Sequence, residues 1–136
     1  MPTMTALNAL LLAIGAAVLL VGCNKALRSA PADPNAAVQP VSGAEAKALV
    51  AEKNALLLDV RTPGEFSGGH IDGSINIPVQ QLGKALQSGV PELADKDRPI
   101  VVYCRSGRRS ANAAKMLEGA GYTQIRDMSR VGAYPR

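Results

Sequence analysis

The chain has 136 residues, 47 % of them hydrophobic and 19 % charged, with a formal net charge of +4. That length suits one compact domain and excludes two ordinary ones, and the apolar share excludes wholesale disorder. Aromatics at 3 % with no Trp argue against stacking on nucleic-acid bases, and two Cys with one His cannot build a multi-Cys zinc site or a disulfide framework.

Residues 1–22 carry no charged side chain and contain an unbroken apolar run from Ala9 to Val21. Such a run fits the h-region of a secretory signal and is short for a membrane span, which takes about 20 residues. It closes on Leu20-Val21-Gly22-Cys23, which resembles a bacterial lipobox. The resemblance implies cleavage before Cys23 and acylation of its thiol. Residues 1–22 are therefore read as a lipoprotein signal peptide, and the mature chain as lipid-anchored in a bacterial cell envelope, facing the periplasm or exterior. Lys25 and Arg28 follow the apolar run, so an uncleaved anchor stays open as an alternative, as does a buried N-terminal helix. Asn24 to Pro40 carries Pro31, Pro34 and Pro40 among small polar residues without apolar periodicity. Residues 23–40 thus read as a lipidated N-terminus and flexible linker.

The domain is read as residues 41–136. Ser42 followed three positions later by Glu45 is a capping-box start, after which Ala46, Leu49 and Val50 share one helical face. Ala55 to Val60 is a short apolar run suited to a strand covered on both faces. Val79, Leu82 and Leu86 recur at helical spacing before Pro91, and Pro99 to Tyr103 forms a second apolar strand. Ala113, Met116, Leu117 and Ala120 predict a helix over Ser110–Gly119, ended by Gly121, and Gln124 to Met128 is a last strand. Strands alternating with helices predict a parallel sheet sandwiched by helices, with its site at the carboxyl ends of the strands.

Chemistry is expected where the second apolar strand ends, in Val102-Tyr103-Cys104-Arg105-Ser106-Gly107-Arg108-Arg109-Ser110. A Cys leaving a buried strand into a tight loop and a helix N-terminus sits in an anion cradle of inward N–H groups and the positive helix end. Three Arg reinforce that field, which should depress the Cys104 pKa and make it a thiolate nucleophile. Gly107 permits the turn, and Ser110 is placed to cap the helix.

These residues carry a resemblance that spans about residues 41–134. Leu57-Leu58-Asp59-Val60-Arg61-Thr62-Pro63-Gly64-Glu65-Phe66, then Gly69-His70-Ile71-Asp72-Gly73-Ser74-Ile75-Asn76-Ile77-Pro78, then the Cys104 block, resemble the three signature blocks of a rhodanese domain, in order and spacing. The resemblance implies an α/β fold with a five-stranded parallel sheet flanked by helices on both faces. It also implies a single catalytic Cys104 that takes a sulfane sulfur as a persulfide and passes it to a thiophilic acceptor. Arg105, Ser106, Gly107, Arg108 and Arg109 would bind substrate, with Arg105 and Arg109 chosen as its anion contacts. Asp59, Arg61, Glu65 and His70 match family positions that look structural near the site. Tyr134 stands where many rhodanese domains have a Trp.

The expected partners are a small anionic sulfur donor and a thiol or cyanide acceptor, with no cofactor, metal or nucleic acid, and the chain acting as a monomer. Displacement at sulfur needs a thiolate more than an acid–base partner, which suits a chain with one His. Two alternatives stay open. One is a rhodanese-fold binding or regulatory module without turnover. The other is a phosphatase or arsenate-reductase type of enzyme, although such loops place Arg six positions after the Cys, where this chain has Ser110.

Overall fold

The computed structural model describes residues 35–136. The lipobox, Cys23 and the apolar run lie outside the described residues. Among those described, no helix is long and apolar enough to cross a membrane.

The elements run β1 (Val38–Pro40), α1 (Gly43–Lys53), β2 (Leu56–Asp59), α2 (Pro63–Ser67), β3 (Ile75–Asn76), α3 (Val79–Ser88), β4 (Ile100–Cys104), α4 (Arg108–Gly119) and β5 (Ile125–Arg130). Short 3₁₀ turns occupy Pro91–Leu93 and Val131–Ala133. The strands form one five-stranded sheet in the order β1-β5-β4-β2-β3, with every neighbouring pair parallel. The α/β architecture expected from the alternation is therefore present.

Side chains alternate across the sheet and divide the core in two. Leu56, Leu58, Ile100, Val102 and Cys104 point to one face, where they pack with Val79 and Leu82 of α3 and Ala113, Ala114 and Leu117 of α4. Leu57, Val101 and Tyr103 point to the other, against Ala46 of α1, Ile71 and Met128. The middle strands are buried along their whole length, β4 as an apolar run and β2 as three leucines closed by the buried Asp59. Connections leave β2 toward β3 on one side and β4 toward β5 on the other. The carboxyl ends of β2 and β4 therefore flank the crevice where an open α/β sheet places its site.

Both capping boxes close. Ser42 accepts the Glu45 N–H while Glu45 accepts the Ser42 N–H, and Thr62 with Glu65 repeats the arrangement at α2. Glycine at position 43 answers a close approach: a Cβ there would fall 1.7 Å from the Ala133 carbonyl oxygen, so α1 starts directly against the Val131–Ala133 turn. Tyr134 packs beside that turn onto the α1-side core.

Three expectations need correction. Val38–Pro40, read as linker, is an edge strand paired with Ile125–Asp127, so the folded unit begins before residue 41. Helix α4 starts at Arg108 rather than Ser110, because Gly107, at φ +96°, is its N-cap. Ser110 consequently lies inside the first turn, and its hydroxyl donates to the Gly107 carbonyl at 3.0 Å instead of capping the helix.

Candidate active site

Cys104 is the last residue of β4, fully buried, on the face covered by α4. The left-handed backbone of Gly107 turns the loop so that its N–H donates to Cys104 Sγ at 3.0 Å. On the opposite side, Sγ donates to the Ser129 carbonyl of β5 at 3.4 Å. Burial pushes the Cys104 thiol pKa up, but the Ser110 N–H and hydroxyl and the Gly107 and Ser106 amides together hold it below the ordinary value. Amides aimed at the sulfur thus outweigh its desolvation. The Ser110 hydroxyl can turn between the Gly107 carbonyl and this sulfur.

The loop's three arginines are not equivalent. Arg105 and Arg108 are exposed and take part in no ion pair among the described residues. Arg109 is half-buried and bidentate on Glu65, with Nη1 to Oε2 at 2.7 Å and Nη2 to Oε1 at 2.8 Å. Instead of standing free for an anion, it is tied to α2. The hydrogen bonds from Arg109, joined by the Thr62 N–H, hold the Glu65 carboxyl far below the usual carboxylate range. Ser106, Arg108 and Arg109, with Gln80 and Asn112, line a cavity of about 630 Å³ beside the loop.

Asp59, at the end of β2, is wholly buried and needs a partner. Arg61 supplies it: Nε lies 3.0 Å from each carboxylate oxygen, Nη2 is 2.7 Å from Oδ2, and the Arg61 N–H donates to Oδ1 at 2.9 Å. The remaining reach of Nη2 takes the Gly69 carbonyl at 2.7 Å, and Asn76 Nδ2 bonds the Asp59 and Arg61 carbonyls. Asp59 and Arg61 therefore set the loops around the crevice. His70 is exposed, stacked on Phe66 at 3.8 Å, with Nδ1 2.9 Å from the Phe66 carbonyl. A carbonyl only accepts, so Nδ1 carries the proton and the ring fastens the end of α2. Tyr103 is buried, its hydroxyl donating to Ser74, and burial raises its pKa to about 12.

The sequence reading missed helix α2 and the carbonyl that faces Cys104, besides the Arg109–Glu65 pair. Helix α2 had a legible signal in Thr62-x-x-Glu65, the same signature as at Ser42. The Ser129 carbonyl facing Cys104 had none, since it depends on a local irregularity of β5.

Residues 42–130 match the family model described as the rhodanese-like domain. The chain belongs to this family. A human thiosulfate:glutathione sulfurtransferase is 35 % identical over 105 residues, covering 69 % of this chain and 88 % of that protein. An Escherichia coli thiosulfate sulfurtransferase is 37 % identical over 68 residues, covering 50 % of this chain and 62 % of that one. Among solved structures, a human single-domain sulfurtransferase has a TM-score of 0.59 at 31 % identity, covering 73 % of this chain and 92 % of its own. The matches span 62 % of the Escherichia coli relative's length and 58 % of a Schizosaccharomyces pombe one's. The rhodanese domain accounts for both crevice-lining strands and the whole Cys104 loop.

Proposed function

We propose that the chain is a sulfurtransferase that moves a sulfane sulfur from thiosulfate or a persulfide donor, through a Cys104 persulfide, to cyanide or a thiol. The observation that carries this reading is the Cys104 sulfur held against the Gly107 amide in a cationic six-residue loop, Cys104–Arg109. The thiolate attacks the sulfane sulfur of thiosulfate; a new S–S bond forms, the old one breaks, and sulfite leaves with the electron pair. Cyanide or an acceptor thiolate then attacks the outer sulfur, and the Cys104 thiolate is released as leaving group. Burial of Cys104 favours a slender donor whose terminal sulfur can reach beneath the loop.

Arg105 and Arg109 would hold the donor's charge, aided by the amides of residues 105–109. The bidentate bond to Glu65 occupies two of Arg109's five N–H groups, leaving others for an anion. Turnover of thiosulfate and cyanide by wild type, abolished in a folded Cys104→Ser variant, tests the reading; turnover persisting in that variant would refute it.

The N-terminal reading joins this proposal: a lipid on Cys23 would hold the domain, as a monomer, at a bacterial envelope membrane. Intact-mass analysis of membrane-extracted protein should find a chain beginning at Cys23 with added acyl mass. An unmodified chain retaining residues 1–22 would reject it.

A further inference from the structure

The sulfur of Cys104 lies between a donor and an acceptor, and the acceptor side is built with care. In the β4–β5 ladder Val102 stands opposite Asp127, but Tyr103 stands opposite Ser129, so Met128 is the extra residue of a β-bulge. Just past it Ser129 has φ +66°, a left-handed conformation that a β-substituted residue adopts at a cost. Asp127 holds it there: Oδ1 accepts the Ser129 N–H at 2.8 Å. The twist turns the Ser129 carbonyl onto Sγ at 3.4 Å. It also seats the Ser129 side chain against the loop, where a Cβ on Gly107 would come within 3.2 Å of Ser129 Cβ. One bulge thereby fixes the carbonyl on one side of the sulfur and buttresses the amide on the other.

We infer that Asp127 and Ser129 are positioning residues for Cys104, which hold a carbonyl against the sulfur to restrain the free thiolate relative to the sulfur-loaded form. A carbonyl accepts from a thiol and repels a thiolate. Once Sγ is bonded to a transferred sulfur, it is neutral, and the negative charge moves to the outer atom, away from the carbonyl. The carbonyl thus opposes the resting anion without opposing the persulfide. The inference takes from the proposed function only that Cys104 is the reactive group.

Other charged groups surround the same sulfur. Arg105 and Arg108 lie in its loop, and Arg109 of α4 is paired with Glu65 of α2. The Asp59–Arg61 pair closes the end of β2, and Arg130 stands opposite Cys104 on β5. None of these changes in the test, which reads the pH dependence of Cys104 alkylation by iodoacetamide, without a sulfur donor, in the full chain. Asp127→Ala should move the profile to lower pH, with about a threefold higher rate on its rising limb, the order that one weak hydrogen bond supplies. Asp127→Asn keeps an acceptor oxygen but not the charge and should restore the wild-type profile. Ser129→Val, which resists a positive φ, should act like Asp127→Ala, whereas Ser129→Gly should act like wild type. A profile unchanged or moved upward in Asp127→Ala, or moved equally in Asp127→Asn, overturns the inference. If Asp127→Ala fails to fold, the contrast between Ser129→Val and Ser129→Gly decides, and equal profiles overturn it. Absence of thiosulfate turnover by wild type would strike the proposed function and leave this profile intact.

Discussion

Two arginine–carboxylate pairs stand near the crevice and could hardly be more different. In Arg61–Asp59 the side chains are 8 % and 0 % exposed, the partners are two residues apart, and backbone groups complete the bonding. In Arg109–Glu65 each side chain is 26 % exposed, and the partners come from helices 44 residues apart in sequence. The first is a local clamp in a dry place, where losing a partner strands a charge. The second is a long-range tie in partial contact with water, worth little to stability but placed where an anion could compete for it.

Breaking the buried pair should have the largest effect. Arg61→Ala leaves the Asp59 carboxylate buried without a counter-charge, holding only the backbone N–H of residue 61, so stability should fall by about 3–5 kcal/mol. Denaturant unfolding measures this, and a loss under about 1 kcal/mol would erase the contrast between the two pairs. Next in size is an effect on function: Arg109→Ala should raise the thiosulfate concentration for half-maximal rate about tenfold, as loss of a charge-assisted hydrogen bond does. An unchanged thiosulfate dependence would remove Arg109 from the donor site.

Glu65→Gln sharpens the comparison because Gln still completes the capping box with Thr62. Stability should drop by less than about 1 kcal/mol, while half-maximal thiosulfate should fall, since the anion no longer competes with a carboxylate. A rise would mean that Glu65 holds Arg109 in the productive position. The smallest effect is on pH and salt. The Glu65 carboxyl is held below its usual range in the folded state, so its contribution is present at neutral pH and fades as pH falls below the ordinary carboxylate range toward the depressed folded value. The stability gap between wild type and Glu65→Gln should therefore narrow on acidification and in 1 M salt, where the Debye length is about 3 Å. The Arg61→Ala deficit should persist in salt.

What the sequence disclosed follows the range of the forces involved. Strand β4 and the cradle after it were readable because an apolar run, a Cys, a Gly and three Arg are contiguous. Helix α1 was readable from Ser42, Glu45 and its apolar face. Asp59 and Arg61 were legible only as family positions that look structural near the site; that they pair with each other came from the structure. The Arg109–Glu65 bond was not legible, because nothing local says which of three arginines turns toward α2. Likewise, Val38–Pro40 is too short and too proline-marked to look like a strand until Ile125–Asp127 supplies the other half of its ladder. Ser129 is the extreme case, since its conformation comes from a slip in register between two strands.

That three-residue edge has a bearing on how copies of the molecule behave toward one another. Ile125 donates its N–H to the Ala37 carbonyl, and Val41 donates to the Asp127 carbonyl, so the chain from Ala37 to Val41 covers the outer backbone of β5. Cut away, it would leave β5 with unpaired N–H and C=O groups, a template for edge-to-edge association. Pro40, without an N–H, suits the rim of such a sheet and discourages further addition. A fragment beginning at residue 41 should therefore self-associate with rising concentration in sedimentation experiments, while one beginning at residue 35 stays dispersed. On this account the short stretch ahead of the first helix works as a guard rail against aggregation.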